Sequence, residues 1–293
     1  MFQNQCLLIM NILIKTVILA LVSYFVYNYI VLPISVPELD KFRKSSDQVQ
    51  GSWKEKELFW FIQITDLHIS KYVYPDIKDD LKEFFTTTLD TVKPKVVIAS
   101  GDLTDAKDSD GVDSFQQKEE WDIYKSMLED YSVSNKTVYL DIRGNHDTFD
   151  VTNYKDPHNY FVSHSMSGPE HISSYLSTIQ NGGKTFSFIA LDATLNPGPK
   201  KVFNFFGYLS DAQLETLSQL KTTAEKSDYQ IYFGHFPSSC IVSSTPVMEM
   251  MTGGLVYLSG HLHTLGGLAP HLYTLHRTGT PELELGDWKE NRR

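Results

Sequence analysis

Five short motifs rich in histidine and aspartate occur in order along this chain, each directly after an apolar, β-rich run. They are Asp66-Leu-His68, Gly101-Asp102-Leu-Thr-Asp105, Gly144-Asn145-His146-Asp147, Gly234-His235 and Gly260-His261-Leu-His263. Taken singly, each reads as an ordinary strand-end turn or helix cap. Their joint placement is a stronger constraint. Strands that end in acidic and imidazole side chains, one after another, put ligand-type residues on the carboxyl edge of an open α/β sheet.

The strands themselves are legible from short aromatic and β-branched runs bounded by polar turns. Leu58–Thr65, Lys95–Ser100, Thr137–Ile142, Lys184–Asp192, Tyr229–Phe233 and Leu255–Ser259 read as strands, with two further β-like stretches at 272–276 and 281–285. Helical spacing of apolar residues predicts helices over 79–92, 115–131 and 210–226. Residues 150–183, with Gly, Ser, Asn and His spread throughout, read as an irregular loop region over the site. Alternating strands and helices argue for an α/β body with largely buried sheets. The expected boundaries are a membrane anchor over 1–36, a polar linker over 37–57, the α/β domain over 58–286 and a tail over 287–293.

The anchor rests on residues 6–36, which are almost continuously apolar, interrupted by Asn11, Lys15 and Asn28. Thr16–Leu32 is about the minimum length that crosses a hydrocarbon core. A cleaved signal peptide fits less well, since a basic leading region and a small-x-small cleavage site are both missing. Lys41, Arg43 and Lys44 after the segment favour a cytosolic domain. The sequon Asn135-Lys-Thr137 has meaning only on the opposite side. The two signals conflict, and the sequence leaves the side open.

Composition narrows the partners. In 293 residues the net charge is −10, which argues against nucleic acid as the main partner. The two cysteines, Cys6 and Cys240, are placed too differently to staple a fold. The ligand types in the motifs are imidazole nitrogen with carboxylate or amide oxygen and no thiolate, which suits hard-to-borderline divalent cations. A His-Glu-x-x-His helix is absent from the sequence, which disfavours the reading as an apolar-substrate metallohydrolase.

The ordered motifs resemble those of the calcineurin-like metallophosphoesterase superfamily over roughly residues 58–275. The apolar N-terminus and the stretch Leu285-Gly-Asp-Trp-Lys289 resemble the transmembrane protein 62 group within it. The resemblance implies a two-sheet β-sandwich flanked by helices. It also implies two divalent ions, of Mn, Fe or Zn type. One would be held by Asp66, His68, Asp102 and His263, the other by Asp102, Asn145, His235 and His261. His146 would assist the leaving group and Asp105 would orient and charge-stabilise His146. The implied reaction is hydrolysis of a phosphate mono- or diester by a metal-bridging hydroxide. The alternative is a metal-binding membrane protein with a structural or partner-binding role.

Two departures narrow the subclass that the resemblance implies. The protein serine/threonine phosphatases of the superfamily carry Arg-Gly after the second aspartate, where this chain has Ala106-Lys107. Purple acid phosphatases carry a tyrosine at the place of Asp105, so the Gly-Asp-Leu-Thr-Asp form is more similar to phosphodiesterase-type members. Long members of the suspected group continue into further domains and membrane helices, so a sequence ending at Arg293 is expected to be a truncated or alternative product.

Overall fold

Every strand predicted from an apolar run is present, within one to three residues at each end. In the computed structural model, which describes residues 58–74, 76–266, 269 and 272–288, strands β1 (Phe61–Ile64), β2 (Val96–Ala99) and β3 (Val138–Asp141) form a parallel sheet in that order. A second, six-stranded sheet takes β4 (Tyr175–Asn181), β5 (Lys184–Leu191), β6 (Tyr229–Gly234), β7 (Val256–Ser259), β8 (Leu272–Leu275) and β9 (Pro281–Glu284). Its order is β4-β5-β6-β7-β9-β8. The expected anchor and linker, 1–36 and 37–57, lie outside the described residues.

Side chains alternate between the faces of a strand, so each buried strand feeds two cores. Val96 and Ile98 of β2 and Leu140 of β3 pack against Phe188 and Ala190 of β5, Ile231 and Phe233 of β6 and Leu258 of β7. This layer joins the two sheets. The intervening residues Val97 and Ala99 face helices α1 (Ile77–Glu83), α2 (Leu89–Val92) and α3 (Lys118–Asp130), meeting Leu81, Phe85, Trp121 and Tyr124. On the far side, Ile189, Tyr232 and Tyr257 pack on helices α4 (Asp211–Ala224) and α5 (Ser244–Met250) through Leu217 and Val247. The result is helix, sheet, sheet, helix. Covering both faces of the parallel strands explains why they read as continuous apolar runs and not as alternating ones.

Strand β4 and helix α5 escaped the sequence reading. The irregular region expected over 150–183 ends in a full strand, β4, paired antiparallel with β5 from Tyr175↔Ala190 to Asn181↔Lys184. Gly182 and Gly183 close this hairpin at φ of 58° and 77°, the two-residue turn that needs left-handed backbone twice. β4 was hidden because it is an edge strand whose outer face carries Thr178 and Gln180, so its apolar signal is half that of its neighbours. Helix α5 is short and contains Pro246, which masked its period. Among the described residues, no helix is long and apolar enough to cross a membrane.

Candidate metal centre

All five motifs arrive at one end of the sandwich, at the carboxyl ends of the strands that carry them. β1 delivers Asp66 and His68, β2 delivers Asp102, β3 leads to Asn145 and His146, β6 leads to His235, and β7 leads to His261 and His263. The chain must turn sharply after each strand to aim these side chains inward. Asp66, His68, Asp102, His261 and His263 accordingly sit at positive φ, between 46° and 78°. Left-handed backbone at non-glycine residues costs energy and persists where the surrounding fold over-determines it. Two glycines make the close approach possible. A Cβ on Gly144 would lie 2.2 Å from Asp102 Oδ1, and one on Gly260 would lie 2.3 Å from Asp66 Oδ2.

The side chains converge in two groups. In the first, His263 Nε2 is 3.0 Å from Asp66 Oδ1 and 3.2 Å from His68 Nε2, and His68 Nε2 is 3.8 Å from Asp66 Oδ1. In the second, the Asn145 amide oxygen lies 3.0 Å from His235 Nε2 and 2.9 Å from His261 Nδ1, and the two imidazoles meet at 3.2 Å. Asp102 Oδ2 stands between them, 3.3 Å from His235 Nε2 and 3.8 Å from His68 Nε2. Apart from His263 and its 27% exposed side chain, these residues are buried.

The donor set fits a pair of metal ions. Imidazole nitrogens set edge to edge among carboxylate oxygens have no comparable reason to crowd in a bare core. Donors about 2.0–2.2 Å from a shared ion would be roughly 2.8–3.6 Å apart, close to the separations seen. Among the described residues, three groups bring their donor atoms within 4.8 Å of one another: Asp66, His68 and His263; His68, Asp102 and His146; and Asp102, His235 and His261.

Electrostatics follow from burial and charge. Burial opposes ionisation of Asp66, but the His263 hydrogen bond and the neighbouring imidazoles win and bring it down to about 2. Asp102 is likewise held well below the usual carboxylate range, with His235 and His146 overcoming its burial. His235 is pushed up to about 9 because the Asp102 carboxylate outweighs its desolvation. Burial brings His146 down to about 3.

His146 and Asp105 stand beside the cluster. His146 Nε2 is 3.8 Å from Asp102 Oδ2, while its Nδ1 lies 2.7 Å from the main-chain carbonyl of Asp105. The carboxylate of Asp105 is turned elsewhere: it accepts from Lys107 Nζ at 2.7 Å and stands 3.4 Å from His68 Nδ1. Its distance to His146 Nδ1 is 3.6 Å, beyond a hydrogen bond. Asp105 therefore meets His146 through its main-chain carbonyl.

Sequence reasoning missed several supporting residues. Asp147, buried behind the motif that names it, accepts from the backbone of Leu103, Thr104 and Gly144 and from the Thr104 hydroxyl, tying two ligand turns together. Asp287 Oδ2 is 3.5 Å from His263 Nδ1, and the main-chain N–H of Trp288 donates to the Asp66 carbonyl at 3.2 Å. Phe205 packs its ring 4.7 Å from that of His261. Only the Leu-Gly-Asp-Trp stretch had a visible signal. Tyr154 and His164 fall in the 150–183 stretch expected over the site: Tyr154 stacks on the Arg143 guanidinium at 5.0 Å, and His164 lies 3.2 Å from Asp122 on α3.

The profile of the calcineurin-like phosphoesterases matches residues 59–265, more than half of the chain. The chain belongs to the calcineurin-like phosphoesterase family. It is 42% identical over 237 residues to mouse (Mus musculus) transmembrane protein 62, covering 80% of this chain and 36% of that protein. It is 31% identical over 238 residues to an Arabidopsis thaliana protein named as a metallophosphoesterase, covering 76% and 32%. The chain thus spans about a third of the length of these curated relatives. The solved structure of a dimetal phosphatase from Danio rerio superposes with a TM-score of 0.55 at 15% identity, over 79% of this chain and 88% of that one. This likeness is one of fold, and it identifies the two-sheet body as the metallophosphoesterase α/β fold.

Proposed function

We propose that this calcineurin-like phosphoesterase is a binuclear-metal hydrolase of phosphate mono- or diesters, tethered to a membrane through its N-terminal apolar segment. The observation that carries the reading is Asp102 Oδ2, placed between two groups of nitrogen and oxygen donors. Asp66, His68, Asp102 and His263 would hold one divalent ion, and Asp102, Asn145, His235 and His261 the other. The nitrogen and oxygen donors suit Mn, Fe or Zn. When bound, the two ions would neutralise phosphoryl charge and make hydroxide available near neutral pH.

The chain's own residues then divide the remaining work. Hydrolysis adds a water oxygen to phosphorus and breaks the bond to the alcohol oxygen, which must take a proton. His146 is placed to relay it: the Asp105 carbonyl accepts from Nδ1–H, and Nε2, unprotonated because burial lowers the ring to about 3, would take the proton released by the attacking water and pass it to the leaving oxygen. Asp105 and Asp287 hold His68 and His263 from behind, at 3.4 and 3.5 Å, and so orient the imidazoles. The apolar segment 6–36 and the name of the mouse relative support the tether.

The test is to load the purified protein with Mn²⁺ or Zn²⁺ and to assay aryl phosphate mono- and diesters beside Asp102→Asn. We expect two equivalents of metal, hydrolysis by the native protein and a loss of activity of at least about a hundredfold in the variant. Two bound equivalents without hydrolysis of any ester would leave the structural, metal-binding role in its place.

A further inference from the structure

Beside His261, the loop 200–206 holds four apolar side chains out in the open. Val202 and Phe203 are 79% and 77% exposed, and Phe205 and Phe206 are 47% and 54% exposed. Folding normally hides such residues, and a contiguous exposed apolar patch marks an interaction site.

This patch is held in place by polar anchors. Lys200 Nζ pairs with Asp113 at 2.7 Å, and the Lys201 N–H donates to Ser114 Oγ at 2.8 Å. At the other end, the Gly207 N–H donates to the Cys240 carbonyl at 2.9 Å. In the middle, the fully buried Asn204 donates from Nδ2 to the Asn145 carbonyl at 3.3 Å, to Thr148 Oγ1 at 3.2 Å and to the Pro199 carbonyl at 3.1 Å. Asn204 therefore docks the loop on the turn that carries Asn145 and His146. Its neighbour Phe205 lies 4.7 Å from the His261 ring, and Phe206 stands edge-on to Phe205 at 5.1 Å.

We infer that this loop is an apolar lip for the substrate, and that the site takes phosphate esters of an apolar alcohol, whose hydrocarbon lies along Phe205 and Phe206. The inference rests on the hydrolase reading above. A phosphoryl group held by the donor cluster has His261 on one side, and an ester chain leaving on that side passes over the two phenylalanine rings. Continuity with the metal centre is what assigns the lip to the substrate and separates it from a remote docking patch. Each methylene that leaves water against the rings adds binding, up to roughly fourfold when burial is complete.

The probe is a series of ethyl-, butyl- and hexylphosphonate, whose carbon–phosphorus bond resists hydrolysis and so separates binding from turnover. The full chain, in a non-ionic detergent and loaded with Mn²⁺, is titrated by calorimetry beside Phe206→Ser and Phe203→Ser. Partition into the detergent is the same for all three proteins. We expect the dissociation constant to fall about twofold per methylene in the native protein, half of the full-burial effect on a logarithmic scale. That slope flattens in Phe206→Ser and is reduced in Phe203→Ser, whose site on the loop is the less packed. A flat native series means that the lip serves another occupant, a bilayer or a protein, and overturns the inference. So does a slope that survives both substitutions. Hydrolysis of short esters with a flat series would overturn the lip alone, whereas a clear slope without hydrolysis of any ester would overturn the hydrolase reading and support the lip.

Discussion

His146 Nδ1 lies 2.7 Å from the Asp105 carbonyl oxygen, while the Asp105 carboxylate is 3.6 Å from the same nitrogen and bonded to Lys107. A carbonyl only accepts, so the relationship fixes the proton on Nδ1 and leaves Nε2 to exchange one with substrate. Two substitutions separate the roles. His146→Ala should slow esters of poorly acidic alcohols by about 10²–10⁴-fold and esters of nitrophenol much less, because a good leaving group needs no proton. Asp105→Asn should keep the carbonyl contact and hence the leaving-group pattern, and instead weaken metal binding about 10–100-fold through His68. Kinetics over a series of leaving groups, with metal titration, check both. A variant Asp105→Asn that copies the His146→Ala pattern would contradict the backbone link.

The glycine of the Gly-Asn-His-Asp motif is a packing requirement of the same site. A Cβ at Gly144 would meet Asp102 Oδ1 at 2.2 Å and the Asp102 backbone nitrogen at 2.4 Å, and neither can retreat without moving the oxygen between the two donor groups. Gly144→Ala should cost about 1–3 kcal/mol of stability, the scale of overpacking in a filled interior. It should also lower the metal stoichiometry below two. Elemental analysis after dialysis gives the answer, and full retention of both equivalents would show that the turn yields more easily than its contacts suggest.

The candidate centre was readable in the sequence because each candidate ligand follows an apolar strand, and a strand end is where the chain turns. What carried no such mark is whatever acts through the backbone or across a long loop. The Asp105 carbonyl, the Asn204 amide on the Asn145 carbonyl and the Phe205 ring on His261 depend on tertiary approach, and none has a periodic or spaced signature. The same holds for the fold. β2 and β5 announced themselves by buried residues on both faces, whereas β4, polar on its outer face at the sheet edge, did not. Asp287 shows the middle case, a residue noticed in sequence whose place behind His263 only the fold supplies.

Metal loading should release protons, and the metal-free site fixes the sign. His235 is raised to about 9, with Asp102 overcoming its desolvation, and His263 is raised by Asp66 against its own burial. Both are more protonated in the folded, metal-free protein than in the unfolded chain. Their contribution to metal-free stability is complete below pH about 6.5 and disappears as pH rises through about 9. A divalent ion needs the neutral imidazoles, so at pH 7 binding should expel about one to two protons. Calorimetry in buffers of different ionisation enthalpy counts them, and the count should fade as pH passes 9, with affinity levelling there. Loading that releases no proton at pH 7 would show that His235 is neutral in the free site.

Arg143, next to the Gly144 turn, supplies the most clear-cut stability prediction. Its guanidinium is buried, donates from Nε to Asp192 Oδ2 at 3.1 Å and from Nη2 to the Ile172 carbonyl at 3.0 Å, and its Nη2 also bonds Asp192. The rings of Tyr154 and Phe161 lie 5.0 and 5.6 Å from its Cζ. Removing one partner of a buried pair leaves an uncompensated charge, which is costlier than losing both. Arg143→Met should therefore destabilise by about 3–5 kcal/mol in urea unfolding, since it strands the Asp192 carboxylate. The double variant Arg143→Met with Asp192→Leu should recover much of that loss, because neither charge then remains to be solvated. The contrast separates charge from packing: if the double variant is as unstable as the sum of the two single ones, the pair acts by shape and not by compensation.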